Sequence, residues 1–485
     1  MNPKSKIPSS QYTASVTTGT NDTNDTDSSL ELTDDRAVIV KEELLLGKKI
    51  ALAIGGGIAA TQSIKLIRTL RRYGAEVQVY AGSKALKFIT PLSLEWASAR
   101  PIISASTGAA EHLFTADLLI VAPATLNILS KAALGIADSL ITTLIASALG
   151  RSSEQPLAPS LTQEPHSQLH LTTRRKSIHS PLLLVPSMHL SLANNPFLAT
   201  HLATLTQHQA TILKPHFIEG KAKSPSPSAI TLAAIRSLTS QTTSRVYRKK
   251  IFITAGAVPT YIDNVRMISN IATGTTGIAL ATYAHALGAT VTLLIKKGAQ
   301  FDATTTDLAT ATPLPYQTVF FQDYDDYSKK VLELIATVRP DSAIFTAAVS
   351  DYRVTPFTPG KIPSQSLTQL NLTTTSKVIN EVKAQYPKLD ITAFKLEAAQ
   401  SEEQLLNKGK AYLKARSYNR VVLNRLATTS STTDNNKKSL TGSPPITITT
   451  NPSPKLTRYI LEYRDREMIH TVAADNFQLA KQLFT

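Results

Sequence analysis

IFITAGAVPTYIDNVRMISNIATGTTG, residues 251–277, sets the reading of this chain. It opens as a short apolar strand, IFIT, passes through a long loop of small residues, and ends at a helix start, Gly277-Ile-Ala-Leu-Ala. The first N–H groups of a helix have no partner within it, and its dipole is positive there, so such a junction suits an anionic ligand. Asp263, Arg266 and Asn270 sit between strand and helix, more specific side-chain chemistry than a turn needs. A Gly-rich αβ loop without a ligand stays open as the plainer alternative, because isolated glycine motifs are weak signals.

The same grammar appears earlier and later in the chain. Residues 49–54 read as a buried strand, 58–73 as a helix with Ile64, Ile67 and Leu70 on one face, and 76–80 as a second strand. A strand at 118–122, helices at 126–134 and 139–148, a strand at 182–185 and a helix at 196–205 follow. Lys221 to Ser228, with its PSPS, leads toward a boundary near Thr243. Then the pattern restarts, with strands at 250–254, 290–295, 342–346 and 391–394. The helices there fall at 277–287, 325–338, 376–385 and 401–415. RRYGAEVQVY (71–80) and HALGATVTLLI (285–295) share a helix–Gly–strand order. This alternation predicts two successive α/β domains with mostly parallel sheets. Residues 1–46 read as a disordered tail, and 150–180 and 428–445 as polar inserts.

Hydrophobic residues make up 42% of 485, and no apolar run reaches the ~18 residues that a membrane helix needs. The stretch 118–149 is interrupted by Pro123, Asn127, Lys131 and Asp138. The N-terminus lacks a secretory apolar core. With no cysteine, disulfides, thiolate metal sites and cysteine nucleophiles are excluded, and the chain reads as cytoplasmic, with no membrane partner. The net charge of +16 is dispersed apart from clusters such as Arg174-Arg175-Lys176 and Arg248-Lys249-Lys250. Without aromatic stacking platforms it reads as a basic surface that attracts phosphorylated metabolites, not nucleic acid.

Gly55, Gly56, Gly57 and Ile58 follow the first strand and open its helix, so that Gly55-Gly-Gly-Ile-Ala-Ala60 satisfies G-x-G-x-x-A. A dinucleotide site would place an acidic residue about 20 positions on. The second strand instead ends Tyr80-Ala-Gly-Ser83, which points to a mononucleotide phosphate held by backbone N–H groups and a hydroxyl such as Ser83. A helix N-cap is the alternative for Ser83.

GGGIAA, FITPLSLEWAS, ADLLIVAPATLNILSKAALGIADSLITT and VPSMHLSLANNP occur in this order. They resemble the FMN-binding cysteine decarboxylases, phosphopantothenoylcysteine decarboxylase being the nearest type, over about residues 48–228. The resemblance implies a flavodoxin-like domain over 47–243. It also implies flavin contacts at Gly55, Gly56, Gly57, Ile58, Ser83, Thr90, Ala122, Pro123, Ala124, Thr125 and Thr142. His112 stands as the histidine that assists thiol oxidation, and Met188 and His189 as substrate contacts. His112 lies closer to Ala116-Asp117 than the family spacing, and His189 stands where the family has asparagine. The stretch matching its flap cysteine reads Glu219-Gly-Lys-Ala-Lys223.

TAGAVPTYIDNVRMISNIATG, FTAAVSDYRVTPFTPGKI, TTTSKVINEVK and ITAFKLEA resemble phosphopantothenate–cysteine ligases over about 249–485. With the flavoprotein-like half before them, they match the fused bifunctional family of coenzyme A biosynthesis. The resemblance implies a second Rossmann-like, nucleotide-binding domain over 244–485, using CTP (ATP in some branches) and Mg²⁺. It assigns Asn270 to holding an acyl-nucleotide and Lys361 to developing negative charge. Nucleotide binding falls to Ala347, Ala348, Asp351, Lys361, Ser376, Lys377, Val378, Ile379 and Phe394, with Arg416 near a phosphate-binding position. The family's SSGKMG reads Ala272-Thr-Gly-Thr-Thr-Gly277, with Thr275 in place of its lysine, and its AND reads Leu423-Asn424-Arg425.

The function expected is ligation of 4'-phosphopantothenate to cysteine followed by FMN-dependent decarboxylation, in a homo-oligomer of trimeric flavoprotein units and dimeric ligase units. A ligase whose flavin half only binds FMN, and a regulatory flavoprotein, are the alternatives.

Overall fold

The computed structural model describes residues 35–152, 182–239, 244–298, 314–363, 369–397, 401–426, 456–464 and 467–485. Residues 1–34 of the expected tail, 153–180 of the first expected insert, all of the second and Thr243 lie outside the described residues. Residues 41–46 are anchored. The N–H groups of Lys41 and Leu45 donate to the carbonyls of Arg72 and Tyr73 at 2.8 Å each, and Leu45 is fully buried.

The first half runs β1 (Lys49–Ile54), a 3-10 turn over Ile58–Gln62, α1 (Ser63–Arg72), β2 (Glu76–Ala81), α2 (Pro91–Ser98), β3 (Leu118–Ala124), α3 (Leu126–Ala133), α4 (Leu140–Ser152) and β4 (Leu182–Pro186). It continues through β5 (Met188–His189), α5 (Leu190–Ala193), α6 (Pro196–Gln207), β6 (Thr211–Ile212), β7 (His216–Ile218), β8 (Lys221–Lys223) and α7 (Pro227–Leu238). Five parallel strands line up as β2-β1-β3-β4-β6, the flavodoxin-like order. The near-continuous apolar runs of β1 and β3 suit a sheet covered on both faces, and each faces two cores.

The second half runs β9 (Lys250–Ala255), β10 (Ala257–Val258), β11 (Thr260–Tyr261), β12 (Met267–Ile268), α8 (Thr275–Ala286), β13 (Thr290–Lys296), β14 (Gln317–Phe321), α9 (Tyr324–Val338), β15 (Ser342–Phe345) and β16 (Ala348–Val349). It ends with β17 (Tyr352–Val354), β18 (Leu372–Thr374), α10 (Val378–Gln385), β19 (Asp390–Glu397), α11 (Glu402–Arg416), β20 (Arg420–Leu426), β21 (Leu456–Arg464), β22 (Glu467–Ala473) and α12 (Asn476–Phe484). The order β14-β13-β9-β15-β19-β20 is the doubly wound Rossmann order, extended by the antiparallel strands β21 and β22.

Helix α7 begins within the PSPS stretch that leads toward the boundary near Thr243. Ser226 is its N-cap, accepting the Ala229 N–H at 3.2 Å, and Pro227 occupies its first turn. From α7, Arg236 donates to the carbonyls of His285 at 2.6 Å and Ala289 at 2.8 Å, and Thr239 Oγ1 to that of Ala286 at 3.1 Å. The last helix of the first half thereby caps the C-terminal end of α8 in the second, where unpaired carbonyls favour a cation.

Candidate functional sites

In each half the chain leaves the first strand in one direction and returns to its other side, which opens a crevice at the carboxyl ends of the two central strands. In the first half these strands are β1 and β3. A Cβ on Gly55 would fall 2.2 Å from the Pro123 carbonyl oxygen, and one on Gly56 2.5 Å from Lys84 Cβ. Both glycines are therefore required by the close approach of neighbouring loops. A Cβ on Gly57 would meet nothing within 4 Å, so this backbone faces open space, with Ile58 73% exposed beside it. Ala122 and Ala124 are buried in β3 beside Pro123, and Thr125 caps α3, accepting the Ile128 N–H at 3.4 Å.

Ser83 is exposed in a run of turns and does not cap a helix. The cap belongs to Thr90, which accepts the Ser93 N–H at 3.3 Å ahead of α2. Between this segment and the start of α1 lies a cavity of about 390 Å³ lined by Thr61, Ile64, Leu86, Phe88, Thr90 and Ser93. Thr142 is buried in the first turn of α4, where its hydroxyl accepts the Ser139 N–H at 3.0 Å. Met188 pairs with Ala222 and His189 with Lys221, which joins the candidate substrate motif to the β7–β8 hairpin. The Ser187 N–H donates to the Ala124 carbonyl at 3.2 Å, so this motif abuts the crevice. His112 is exposed on the turn before Phe114, whose N–H donates to Ser147 Oγ of α4 at 2.9 Å. Among the described residues no hydrogen bond joins His112 to the 55–57 or 122–125 loops.

In the second half the crevice lies between β9 and β15. Gly277 can only be glycine here, because a Cβ would meet Ala255 Cβ at 2.5 Å and Thr346 Oγ1 at 2.6 Å. The β11–β12 hairpin carries Asn270 just beyond its second strand, and Asn270 Nδ2 donates to the Ala348 carbonyl at 3.0 Å. Ala347 and Ala348, half-buried, follow β15; the Ala347 N–H donates to Thr254 Oγ1 at 3.3 Å.

Asp263, in the turn of the β11–β12 hairpin, is fully buried. Its Oδ1 accepts the N–H groups of Val265 and Arg266 at 2.8 and 2.7 Å. Its Oδ2 accepts Arg266 Nε at 2.9 Å and the Ile362 N–H at 3.1 Å. Burial alone would raise this carboxyl's pKa; the hydrogen bonds from Arg266, Val265 and Ile362 outweigh it and hold the group well below the usual carboxylate range. The Asn264 N–H also donates to the Gly360 carbonyl at 3.0 Å. The exposed Lys361 thus rides on a loop clamped to the hairpin that presents Asn270.

Asp351 and Lys377 form an exposed ion pair, which brings these two expected nucleotide residues together. Ser376 is held by Tyr324, whose hydroxyl donates to its carbonyl at 2.8 Å. Val378 is buried at the start of α10, Ile379 packs partly against the core, and Phe394 is half-buried in β19 beside Val422. Arg416 is not brought to the crevice. It closes α11, which must run back from the end of β19 to the start of the parallel β20, so it stands at the opposite edge of the sheet from Asn270. Leu423, Asn424 and Arg425 lie within β20, not beyond it. Among the described residues no group of three His, Cys, Asp or Glu side chains could hold a metal ion, and no helix is long and apolar enough to cross a membrane.

The tie from Asp263 to Ile362 and the Arg236 cap escape a reading of the sequence, because these partners lie 99 and 49 or more residues away. Arg458 left no signal either: in β21 it alternates onto one face with Ile460 and Glu462, so its burial is not legible from the pattern.

A family model described as Flavoprotein matches residues 39–240, and one described as DNA/pantothenate metabolism flavoprotein C-terminal domain matches 246–445. The chain is 31% identical over 393 residues to the coenzyme A biosynthesis bifunctional protein CoaBC of Thermococcus kodakarensis, covering 80% of this chain and 87% of that one. The protein of the same name from Methanocaldococcus jannaschii is 28% identical over 391 residues, covering 80% and 86%. That from Vibrio vulnificus is 30% identical over 339 residues, covering 67% and 72%.

Proposed function

The chain belongs to the family of coenzyme A biosynthesis bifunctional proteins, and we propose that its two halves divide a ligation and a decarboxylation. The second half, over 244–485, joins 4'-phosphopantothenate to cysteine, with CTP as the nucleotide and Mg²⁺ carried on its triphosphate. A carboxylate is a poor acceptor for an amine. Its oxygen attacks the α-phosphorus of the nucleotide and pyrophosphate leaves. The cysteine nitrogen then attacks the activated acyl carbon and the nucleoside monophosphate leaves.

The observation that carries this reading is the hydrogen bond of Asn270 to Ala348 across the β9–β15 crevice. With Nδ2 engaged, Asn270 Oδ1 stays available to orient the acyl-nucleotide. Lys361 faces the charge that develops at phosphorus. The backbone after β15 lines the nucleotide, and Asp351 with Lys377 flanks it.

The first half, over 47–243, suits FMN: the open face of Gly57 lets backbone approach a phosphate, and the cavity that Thr90 lines mixes apolar groups and hydroxyls with the Lys87 side chain. Bound FMN would supply the oxidation of the product's cysteinyl thiol that allows its carboxylate to leave as CO₂, and would hold the two electrons that then reduce the resulting enethiol to 4'-phosphopantetheine. His189 and the Met188 backbone hold the substrate beside Ala124. His112 accepts the thiol proton from across a contact between copies, in a homo-oligomer working in the cytoplasm.

The test is to supply phosphopantothenate, cysteine and CTP or ATP, and to follow pyrophosphate and CO₂ separately. CO₂ in step with pyrophosphate is the expected result. Pyrophosphate alone would remove the decarboxylase half of the proposal, and neither product, with FMN still bound, would remove both.

A further inference from the structure

The first turn of α8 opens onto the nucleotide crevice, and its first N–H groups have no partner within the helix. Its N-cap, Gly274, contributes no side-chain bond, and Thr275, its first residue, brings no charge. The N-terminus of α12 lies beside it, since Thr276 Oγ1 donates to Asn476 Oδ1 at 3.1 Å. Arg458 shares the strand face of Ile460, which packs in one core with α8 and α12, and its charge lies near Asp475, the N-cap of α12. Arg458 pairs with Asn424 on β20 and with Ala473 on β22, at the edge of the sheet where the parallel strands end.

Arg458 is only 7% exposed, and its Nε has no hydrogen-bond partner among the described residues. Asn424 Oδ1, directly across the ladder, is likewise buried and unpartnered among them. Burial lowers the guanidinium's pKa and the nearby Asp475 raises it. Asp475 is itself engaged as the N-cap of α12, accepting the Gln478 N–H at 2.7 Å. A buried donor left without an acceptor is costly, and a buried cation more so, unless something else satisfies it.

We propose that Arg458 is a phosphate-binding residue of the ligase site, supplying beside α8 the positive charge that Thr275 does not. The proposal rests on the reading that a nucleoside triphosphate occupies the β9–β15 crevice. Arg458 reaches the polyphosphate from the strand side while the α8 N–H groups hold it from the helix side.

The test uses the full-length, FMN-loaded protein. Arg458→Gln, Arg458→Lys, Thr275→Lys and the double variant Arg458→Gln/Thr275→Lys are compared for pyrophosphate release and for inhibition by inorganic tripolyphosphate. Removing one charge-assisted contact should raise the nucleotide KM and the tripolyphosphate inhibition constant by about 10- to 100-fold, with the phosphopantothenate KM unchanged. Arg458→Lys should fall between, and Thr275→Lys should restore most of the loss in the double variant. An unchanged nucleotide KM, equal rises in both KM values, or a loss that Thr275→Lys does not recover would overturn the proposal. If Arg458→Gln fails to fold, Thr275→Lys alone must tighten tripolyphosphate, and Arg458→Lys must weaken it. Wild-type protein that releases no pyrophosphate from CTP or ATP refutes the underlying reading instead; direct tripolyphosphate binding then still decides whether Arg458 holds an anion.

Discussion

Asn270 Nδ2 donates to the Ala348 carbonyl oxygen at 3.0 Å, linking the loop after β12 to the start of β16. The bond spans 78 residues of sequence and ties the two walls of the ligase crevice. A carboxylate in place of the amide cannot donate. Asn270→Asp should therefore reduce amide formation by about 100-fold or more, as loss of a positioned polar group in an active site does. The bond is exposed, so thermal stability should move by no more than about 0.5 kcal/mol. Amide formation at the wild-type rate in this variant would show that the side chain does not hold the intermediate.

Lys361 and Asp263 make a pair of predictions about one loop. Lys361→Gln should abolish pyrophosphate release while leaving FMN bound in the first half. Asp263→Asn should weaken ligation without touching Lys361, because the carboxylate that accepts the Ile362 N–H also pairs with Arg266. The folded pKa of Asp263 is depressed, so its contribution to stability is complete above the ordinary aspartate value of about 3.9 and fades as pH falls toward the folded value. The gap in melting temperature between wild type and Asp263→Asn should be open at neutral pH and close in acid. A gap independent of pH would mean that the charge is not what the clamp uses.

Stability should also fall at mildly acid pH through His285. Burial first, and the Arg236 charge second, push its imidazole down to about 3. The folded protein keeps it neutral, while the unfolded chain takes up a proton below about 6.5. Stability is then complete above about pH 6.5 and declines toward pH 3, with a slope of at most about 1.4 kcal/mol per pH unit. Urea titrations across this range should show a shallower slope for His285→Gln.

Arg236→Met removes two charge-assisted bonds, one to the last turn of α8 and one to the Ala289 carbonyl just beyond it, from a helix in the other half. It should cost about 2–3 kcal/mol. Calorimetry should show the second half melting earlier although the substitution lies in the first. A shift confined to the first half would mean that the cap does not couple them.

Local features were legible where neighbouring residues alone decide them. IFIT and KIALAI read as buried strands because apolar runs of that length suit a sheet covered on both faces, and the glycine stops after α1 and α8 stand as read. Ser226-Pro227 marks the approach to the boundary near Thr243, and only the structure shows that it does so by capping a helix, α7, that packs against α8. β21 and β22 carry no turn signal of the parallel pattern, and they join the sheet as an antiparallel edge.

Two α/β halves, the glycine-rich loops and the family are all written in the chain's local order. What meets across the fold is not: Asn270 with Ala348, Asp263 with Ile362, Arg236 with the end of α8, and Arg416 at the far edge. The difference is one of range. Strand, turn and cap preferences are set within a few residues. Which strand lies beside β9 is set by covering both faces of the sheet at once, and that brings together groups that no local pattern connects.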